Sequence, residues 1–276
     1  MLRLLGLDMD GTFLNDEKKI QPSALDAVRR AVSEGKMVVL TTGRSINELL
    51  PYERELAGIV RYCVLESGGI VYDREERRVL RRVEIPLEIS REVFRRTEGL
   101  GICPMVMSHG YSVMRPEFFT RLSEYHISAY QDLYDRYAGR DPDLERTYSY
   151  RDTAEKINLF SRTVSAREQL KDLLSDLPLV MTFSEITSLE LSPMGVDKWT
   201  GLSYLLEMLD ISKEETIAAG DAPNDLPILR NAGLSCAMGN ASKEVQEMAD
   251  VCVGSNNEDG IREIVDRFLL GNPEIF

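Results

Sequence analysis

Short apolar runs and longer helix-period segments take turns along the first part of the chain. "LLGL" at residues 4–7 is a continuous apolar run bounded by a Gly-containing turn. That is the pattern of a strand covered on both faces of a parallel sheet. In "PSALDAVRRAVSEG" Leu25, Val28 and Val32 recur at helical spacing, with Pro22 near the start and Gly35 at the close. "KMVVLTTGRS" reads as a second strand, ending in Thr41-Thr42-Gly43-Arg44. "INELLPYERELAG" follows as mostly helix despite Pro51, and "YCVLESGG" as a strand with a glycine turn. This alternation predicts a parallel α/β sheet.

From about residue 84 to 190 the rhythm changes. The helical patterns "EISREVFRRTEG" and "SAREQLKDLLSDL" mix with the short strand candidates "GYSVM" and "EKINLFSR". Between Pro116 and Pro142 the chain is polar and aromatic with no assignable period. After "SLELSP" the first rhythm resumes: helix "WTGLSYLLEMLD", strand "TIAAGD", helix "NDLPILRNAG", strand "LSCAMG", helix "SKEVQEMA", strand "VCVG" and helix "DGIREIVDRFLLG". The expected architecture is a Rossmann-like parallel-sheet core, residues 1–83 and 191–276, interrupted by a different α/β domain at 84–190. Domain insertion at a surface loop produces such a pattern.

Composition narrows the classes. A chain of 276 residues with 43% hydrophobic and 29% charged residues has the make-up of a soluble globular protein with a sizeable core. A net charge of −13 argues against a general nucleic-acid or anionic-membrane binder. Asp8 cuts the N-terminal apolar patch too short for a signal-peptide core, and no stretch approaches a membrane span. A cytoplasmic location is expected. Cys63, Cys103, Cys236 and Cys252 form no CxxC grouping, so buried free thiols are expected. His109 and His126 do not sit at metal-ligand spacing, and no GxSxG elbow is present.

The chemistry concentrates at strand ends. Asp8 and Asp10 leave the first strand on the same side, and like charges that close repel unless a cation or shared proton lies between them. An Asx turn at a strand end would use the same residues. Three further places carry small, hydroxyl or charged residues: Thr41-Thr42-Gly43-Arg44, Lys198, and "GDAPND" at Gly220 to Asp225. Taken singly, Asp221 and Asp225 suit a helix N-cap and first turn, and Lys198 a surface position. Together, strand-end loops of this kind converge on one edge of an open parallel sheet, where ligands bind and helix N-termini offer N–H groups to an anion.

In these motifs the sequence resembles the haloacid dehalogenase-like hydrolases, and within them the Cof-type phosphatases. "DMDGT" is similar to the first family motif, "TTGR" to the second, Lys198 in "GVDKWTGL" to the third and "GDAPND" to the fourth; the tail "AMGNASKEVQEMADVCVGSNNEDG" also resembles the Cof type. The resemblance covers the core, and the middle of the chain matches a C2-type cap only in size and position. It implies Asp8 as nucleophile, forming an aspartyl-phosphate, and Asp10 as general acid and then base. It implies Mg2+ held by Asp8, the Asp10 carbonyl and Asp221, with Asp225 supporting that shell. Thr42, Gly43, Lys198, the Met9 amide and Asn224 would hold the phosphoryl oxygens. Gly11 would permit the turn that aims Asp10 inward.

The expected activity is Mg-dependent hydrolysis of small phosphate monoesters, sugar phosphates or similar, with phosphoglycolate among the candidates. The alternatives are a phosphomutase on sugar phosphates and a non-catalytic phosphometabolite-binding protein. The expected partner is a small phosphate ester, with no nucleic acid and no membrane; the sequence gives no basis for an oligomeric state. Ser67-Gly68-Gly69 stands where Cof-type proteins carry Asn-Gly, which weakens any transfer of substrate preference. Arg44 is assigned no role. The run "DREERRVLRRVEIPLEISREVFRR" interleaves Glu with Arg and is expected to form a solvated, salt-bridged face. Tyr130, Tyr134 and Tyr137 share helical spacing, and packing is their expected role.

Overall fold

In the computed structural model, which describes residues 1–271, the opening run Leu4–Leu7 is strand β1 and every one of its residues is buried. The strands that follow are β2 (Met37–Thr41), β3 (Tyr62–Leu65), β4 (Ile70–Asp73), β5 (Arg78–Arg82), β6 (Cys103–Ser108), β7 (Tyr111–Met114) and β8 (Gly139–Arg140). Then come β9 (Lys156–Phe160), β10 (Leu179–Thr182), β11 (Ser188–Pro193), β12 (Thr216–Gly220), β13 (Leu234–Ala237) and β14 (Val251–Cys252). The α-helices are α1 (Pro22–Ser33), α2 (Glu53–Leu56), α3 (Leu87–Thr97), α4 (Gln131–Tyr137) and α5 (Leu144–Tyr150). They continue as α6 (Val164–Leu174), α7 (Lys198–Met208), α8 (Leu226–Asn231), α9 (Lys243–Met248) and α10 (Gly260–Ile264). No helix among the described residues is long and apolar enough to cross a membrane.

The chain divides into two compact units. The first comprises residues 1–43, 54–80 and the chain from Lys198 on; the second comprises 44–53 and 81–197. The second unit thus takes in residues 44–53, a segment that sequence rhythm alone groups with the core.

The first unit is built on a sheet of order β14-β13-β12-β1-β2-β3-β4-β5. From β14 to β3 the neighbours run parallel, and β4 turns back antiparallel on β3. In register, Leu7 of β1 sits between Leu40 of β2 and Ala219 of β12, so the carboxyl ends of these three strands lie side by side. Leu4, Val39, Val64 and Ala218 pack with Leu202 and Leu205 of α7 and Ile228 of α8. Along α1 the buried stripe is Ala24, Ala27, Val28 and Ala31, with Leu25 and Val32 only half-buried at its flank. Small side chains let a helix lie close on its neighbours, which is why alanine occupies that line.

The second unit has a sheet of order β10-β11-β9-β6-β7-β8, antiparallel except between β7 and β8. One face carries Val106, Ile157, Leu159, Leu189 and Leu191, packed with Val93 and Phe94 of α3 and Leu170 and Leu174 of α6. The opposite parity places Cys103, Met105, Met107, Met114 and Phe160 against Phe118, Phe119, Leu122, Tyr125 and Tyr134. The segment without a readable period is therefore a second apolar layer. Its turns Pro116–Phe118, Leu122–Tyr125 and Ser128–Tyr130 are single 3-10 turns, too short to show a repeat.

Cys63, Cys103 and Cys236 are buried free thiols, as expected. Cys252 departs from that expectation and is exposed, because it closes the two-residue edge strand β14.

Candidate active site

Asp8 continues β1 by one residue, its amide donating to the Ala219 carbonyl at 3.1 Å. The chain then folds on itself: the Phe13 amide donates to the Asp8 carbonyl at 3.3 Å and the Leu14 amide to the Met9 carbonyl at 2.8 Å. Gly11 makes the turn with φ +79°, a left-handed conformation that favours glycine. A Cβ at Gly11 would also lie 2.3 Å from an Asp221 carboxylate oxygen, so a side chain there would meet both backbone strain and a clash that Asp221 must yield to.

From the neighbouring strand β12 come Asp221 and, four residues on, Asp225. The Thr12 hydroxyl donates to Asp221 Oδ1 at 2.9 Å. Asp225 Oδ2 accepts the amides of Asp221 and Ala222 at 3.0 and 3.1 Å, which closes the tight turn Pro223–Asp225. Gly220 makes this packing attainable, since a Cβ there would meet the Asp225 side chain at 2.5 Å. Lys198, the first residue of α7, reaches in from the other side. Its Nζ donates to Asp8 Oδ1 and to Asp225 Oδ1, each at 2.6 Å. All three side chains are almost wholly out of water.

The electrostatics follow from that burial. Burial, then the negative charge of Asp225, push the Asp8 carboxyl well above the usual range, against the pull of Lys198. Burial and Asp225 likewise push Asp221 up to about 7, opposed by the Thr12 hydrogen bond. Burial works to lower the pKa of the Lys198 ammonium; the carboxylates of Asp225 and Asp8 outweigh it and hold that pKa above its ordinary value. One carboxylate oxygen from each of Asp8, Asp221 and Asp225 lies within 4.8 Å of the others. Buried, acidic and built only of oxygen donors, this cluster suits a hard divalent cation, which would relieve the same crowding of charge.

The remaining residues singled out in the sequence fall as follows. Met9 and Thr42 are buried, Asn224 is nearly so, and Gly43 is half-buried. The Thr42 amide donates to Val64 at 2.9 Å and its carbonyl accepts from Ser67 at 3.1 Å, tying the end of β2 to that of β3. Ser67 holds φ +55°, beside Glu66 at +54°. The Asp10 carboxylate stands outside the acidic cluster and pairs with Lys18 Nζ at 2.8 Å. Arg44 belongs to the second unit, where its guanidinium carbon lies 5.3 Å from the Tyr52 ring centroid and 5.9 Å from that of Tyr130. Tyr130 and Tyr134 stack at 5.7 Å, in the packing role their spacing suggests. The arginine-rich run is a salt-bridged face around Glu92, which pairs with Arg95 at 2.6 Å and Arg96 at 2.7 Å.

Three contributors escape sequence reasoning. Thr12 lies inside "DMDGT", and its place in that motif was the available signal. Asn240, whose amide donates to the Gly11 carbonyl at 2.8 Å, lies in the quoted tail. Lys18 sits in a polar loop and gave no signal at all.

Comparison with known proteins agrees with this arrangement. The family model described as haloacid dehalogenase-like hydrolase matches residues 5–265. The 5-amino-6-(5-phospho-D-ribitylamino)uracil phosphatase YcsE of Bacillus subtilis is 27% identical, covering 98% of this chain and 96% of its own length. A protein of the same described activity from Escherichia coli, YbjI, is 28% identical over 97% of this chain and 96% of its own. A solved haloacid dehalogenase-like hydrolase from Bacteroides thetaiotaomicron superposes with a TM-score of 0.82 at 26% identity, covering 97% of this chain and 99% of that one. With a family model matching residues 5–265, nearly end to end, the chain belongs to the haloacid dehalogenase-like hydrolases.

Proposed function

We propose that this chain is a magnesium-dependent phosphatase that hydrolyses small phosphate monoesters through a phosphorylated Asp8. The observation that carries the reading is the buried Lys198 ammonium bridging Asp8 and Asp225, with Asp221 completing an oxygen-only cluster. In a first step a carboxylate oxygen of Asp8 forms a bond to phosphorus as the bond to the ester oxygen breaks. The Asp10 carboxyl delivers its proton to that leaving oxygen. In a second step water attacks the same phosphorus, Asp10 takes the proton back, and the bond to Asp8 breaks to release inorganic phosphate.

Each neighbour has a place in this sequence. Lys198 neutralises the phosphoryl oxygens, and Asp225 positions Lys198 while holding the Asp221 loop by its amides. Thr42 and the amides of Met9 and Gly43, with Asn224, orient the phosphoryl group. Magnesium on Asp8, the Asp10 carbonyl and Asp221 would supply the positive charge that lets an anion approach a phosphate dianion. The second unit acts as the cap that selects the leaving group. Two relatives are described as phosphatases of a phosphorylated ribityl compound, which supports small organophosphates, sugar phosphates included, as the substrate class.

The test is phosphate release from a panel holding sugar phosphates, phosphoglycolate and 5-amino-6-(5-phospho-D-ribitylamino)uracil, with magnesium and with EDTA. Magnesium-dependent release that disappears in Asp8→Asn is expected. Isomerised sugar phosphate without free phosphate would replace hydrolysis by mutase chemistry, and tight binding without turnover would leave a binding protein.

A further inference from the structure

The second unit holds a cavity of about 730 Å3, lined only by residues between Arg91 and Arg162. That volume is in the range, roughly 300–1,000 Å3, of sites for small organic ligands. In a chain of net charge −13, six arginines reach this one cavity: Arg91, Arg95, Arg115, Arg121, Arg146 and Arg162, against the carboxylates Glu98 and Glu145.

Part of that charge is matched nearby. Arg95 pairs with Glu92, and Arg121 and Arg162 share Glu124, both at 2.8 Å. Arg115 reaches Glu117 at 2.9 Å and Glu145 at 3.4 Å, yet its Nε is buried and has no hydrogen-bond partner among the described residues. Arg146 has no carboxylate partner among the described residues. Arg91 donates to the Ser149 carbonyl at 3.2 Å and lies 4.5 Å from the ring centroid of Tyr150, which is 63% exposed. An exposed tyrosine held by a guanidinium is a ready platform for a flat ring. Phe118 and Tyr125, edge to face at 5.6 Å, add apolar lining.

We propose that this cavity binds an organic phosphate bearing a flat aromatic ring, such as a nucleoside monophosphate. Arg115 and Arg146 take the phosphate, where a guanidinium offers paired donors to its oxygens. Tyr150, backed by Arg91, stacks on the ring. None of these residues has a part in the reaction at Asp8, so failure of this proposal would leave that reading untouched.

The test is calorimetric titration of the full-length Asp8→Asn variant in EDTA with adenosine monophosphate, cytidine monophosphate, ribose 5-phosphate and inorganic phosphate. At least one nucleotide is expected to bind with Kd below about 1 mM, tenfold or more tighter than ribose 5-phosphate or phosphate. Adding Tyr150→Ala, or Arg115→Gln with Arg146→Gln, is expected to weaken it at least tenfold. Ester hydrolysis by the same substitutions in an otherwise wild-type chain is expected to stay within about twofold. Tyr150 is exposed, so its variant remains informative if the arginine pair fails to fold. No nucleotide binding, binding matched by ribose 5-phosphate, or binding unmoved by Tyr150→Ala would each overturn the proposal.

Discussion

Lys198 and Asp8 are 190 residues apart in the chain, yet their side chains meet at 2.6 Å in the interior of the first unit. The same ammonium holds Asp225 at 2.6 Å, so one buried cation answers two buried carboxylates. Such a trio persists only where each charge keeps its partner, because an uncompensated buried ion costs several kcal/mol. The geometry therefore couples the stability of the fold to the chemistry assigned to it.

Asp8→Asn is expected to lower turnover by at least about 10³-fold, the scale on which loss of a nucleophile is felt. The amide matches the carboxylate in shape and still accepts from Lys198, so the unfolding midpoint should stay close to that of the parent chain. Phosphate release and a thermal melt check both halves, and appreciable residual turnover would remove Asp8 from the nucleophile's role.

Lys198→Met leaves Asp8 and Asp225 facing each other without the cation. Loss of one partner of a buried pair costs about 3–5 kcal/mol, and urea unfolding should show a loss of that order. Combining it with Asp225→Asn should recover part of the stability, since one of the stranded charges is then gone. Activity is expected to suffer in both kcat and KM, and recovery of stability without recovery of activity separates the two roles of the ammonium.

Magnesium should raise the melting temperature of the unmodified chain by about 2–4 °C for each kcal/mol of binding linkage, and EDTA should reverse it. In Asp221→Asn the shift should shrink or vanish. An undiminished shift would show that the acidic cluster is not where the ion binds.

Gly11→Ala introduces a methyl at φ +79° and 2.3 Å from Asp221. Either the turn or the Asp221 carboxylate must move. The expected result is a loss of about 1–3 kcal/mol in stability and a 10- to 100-fold loss in magnesium affinity, read by denaturation and calorimetry. Gly35→Ala, at φ +81° with nothing near its Cβ, controls for the backbone strain alone.

In the second unit Glu155 is buried, accepts the His109 amide at 2.8 Å and lies 3.5 Å from Arg82. Burial pushes its carboxyl up to about 7, with those two groups acting against it; Asp152 lies on the far side of His109, at 3.0 Å from its ring. The folded chain thus holds this proton more tightly than the unfolded one. Its contribution is complete at acid pH and is lost as pH rises through about 7. Glu155→Gln, which mimics the protonated form, should remove that loss. The variant's stability relative to the parent should climb between pH 5 and 8 by an amount on the order of 2 kcal/mol. A difference that stays flat across this range would contradict the assignment.

Much of the first unit was legible because its signals are local. A buried parallel strand is an unbroken apolar run, and "LLGL" and "TIAAG" both read so, each running straight into an aspartate-bearing turn. The segment from Pro116 to Pro142 was legible only in the helical spacing of Tyr130, Tyr134 and Tyr137 around α4, since the single 3-10 turns before it, packed by aromatic rings, leave no repeat to count. Cys252 shows the same limit: whether a thiol at a strand end is covered depends on the strand being the sheet's edge.

By itself the sequence determined the α/β class, the strand-end positions of Asp8, Asp10, Thr42, Gly43 and Asp221, and the motifs that mark the family, because period, turn chemistry and motif order are written along the chain. Only the tertiary structure decided which charges meet. Lys18 with Asp10, Lys198 with Asp225, and the Lys156–Glu190 pair at 2.7 Å in the second sheet are invisible as pairs in the sequence. Nor could it show that arginines scattered between residues 91 and 162 line one cavity. The physical reason is that pairing of charges is set by distance and burial, and those follow from sheet register and helix packing rather than from separation along the chain.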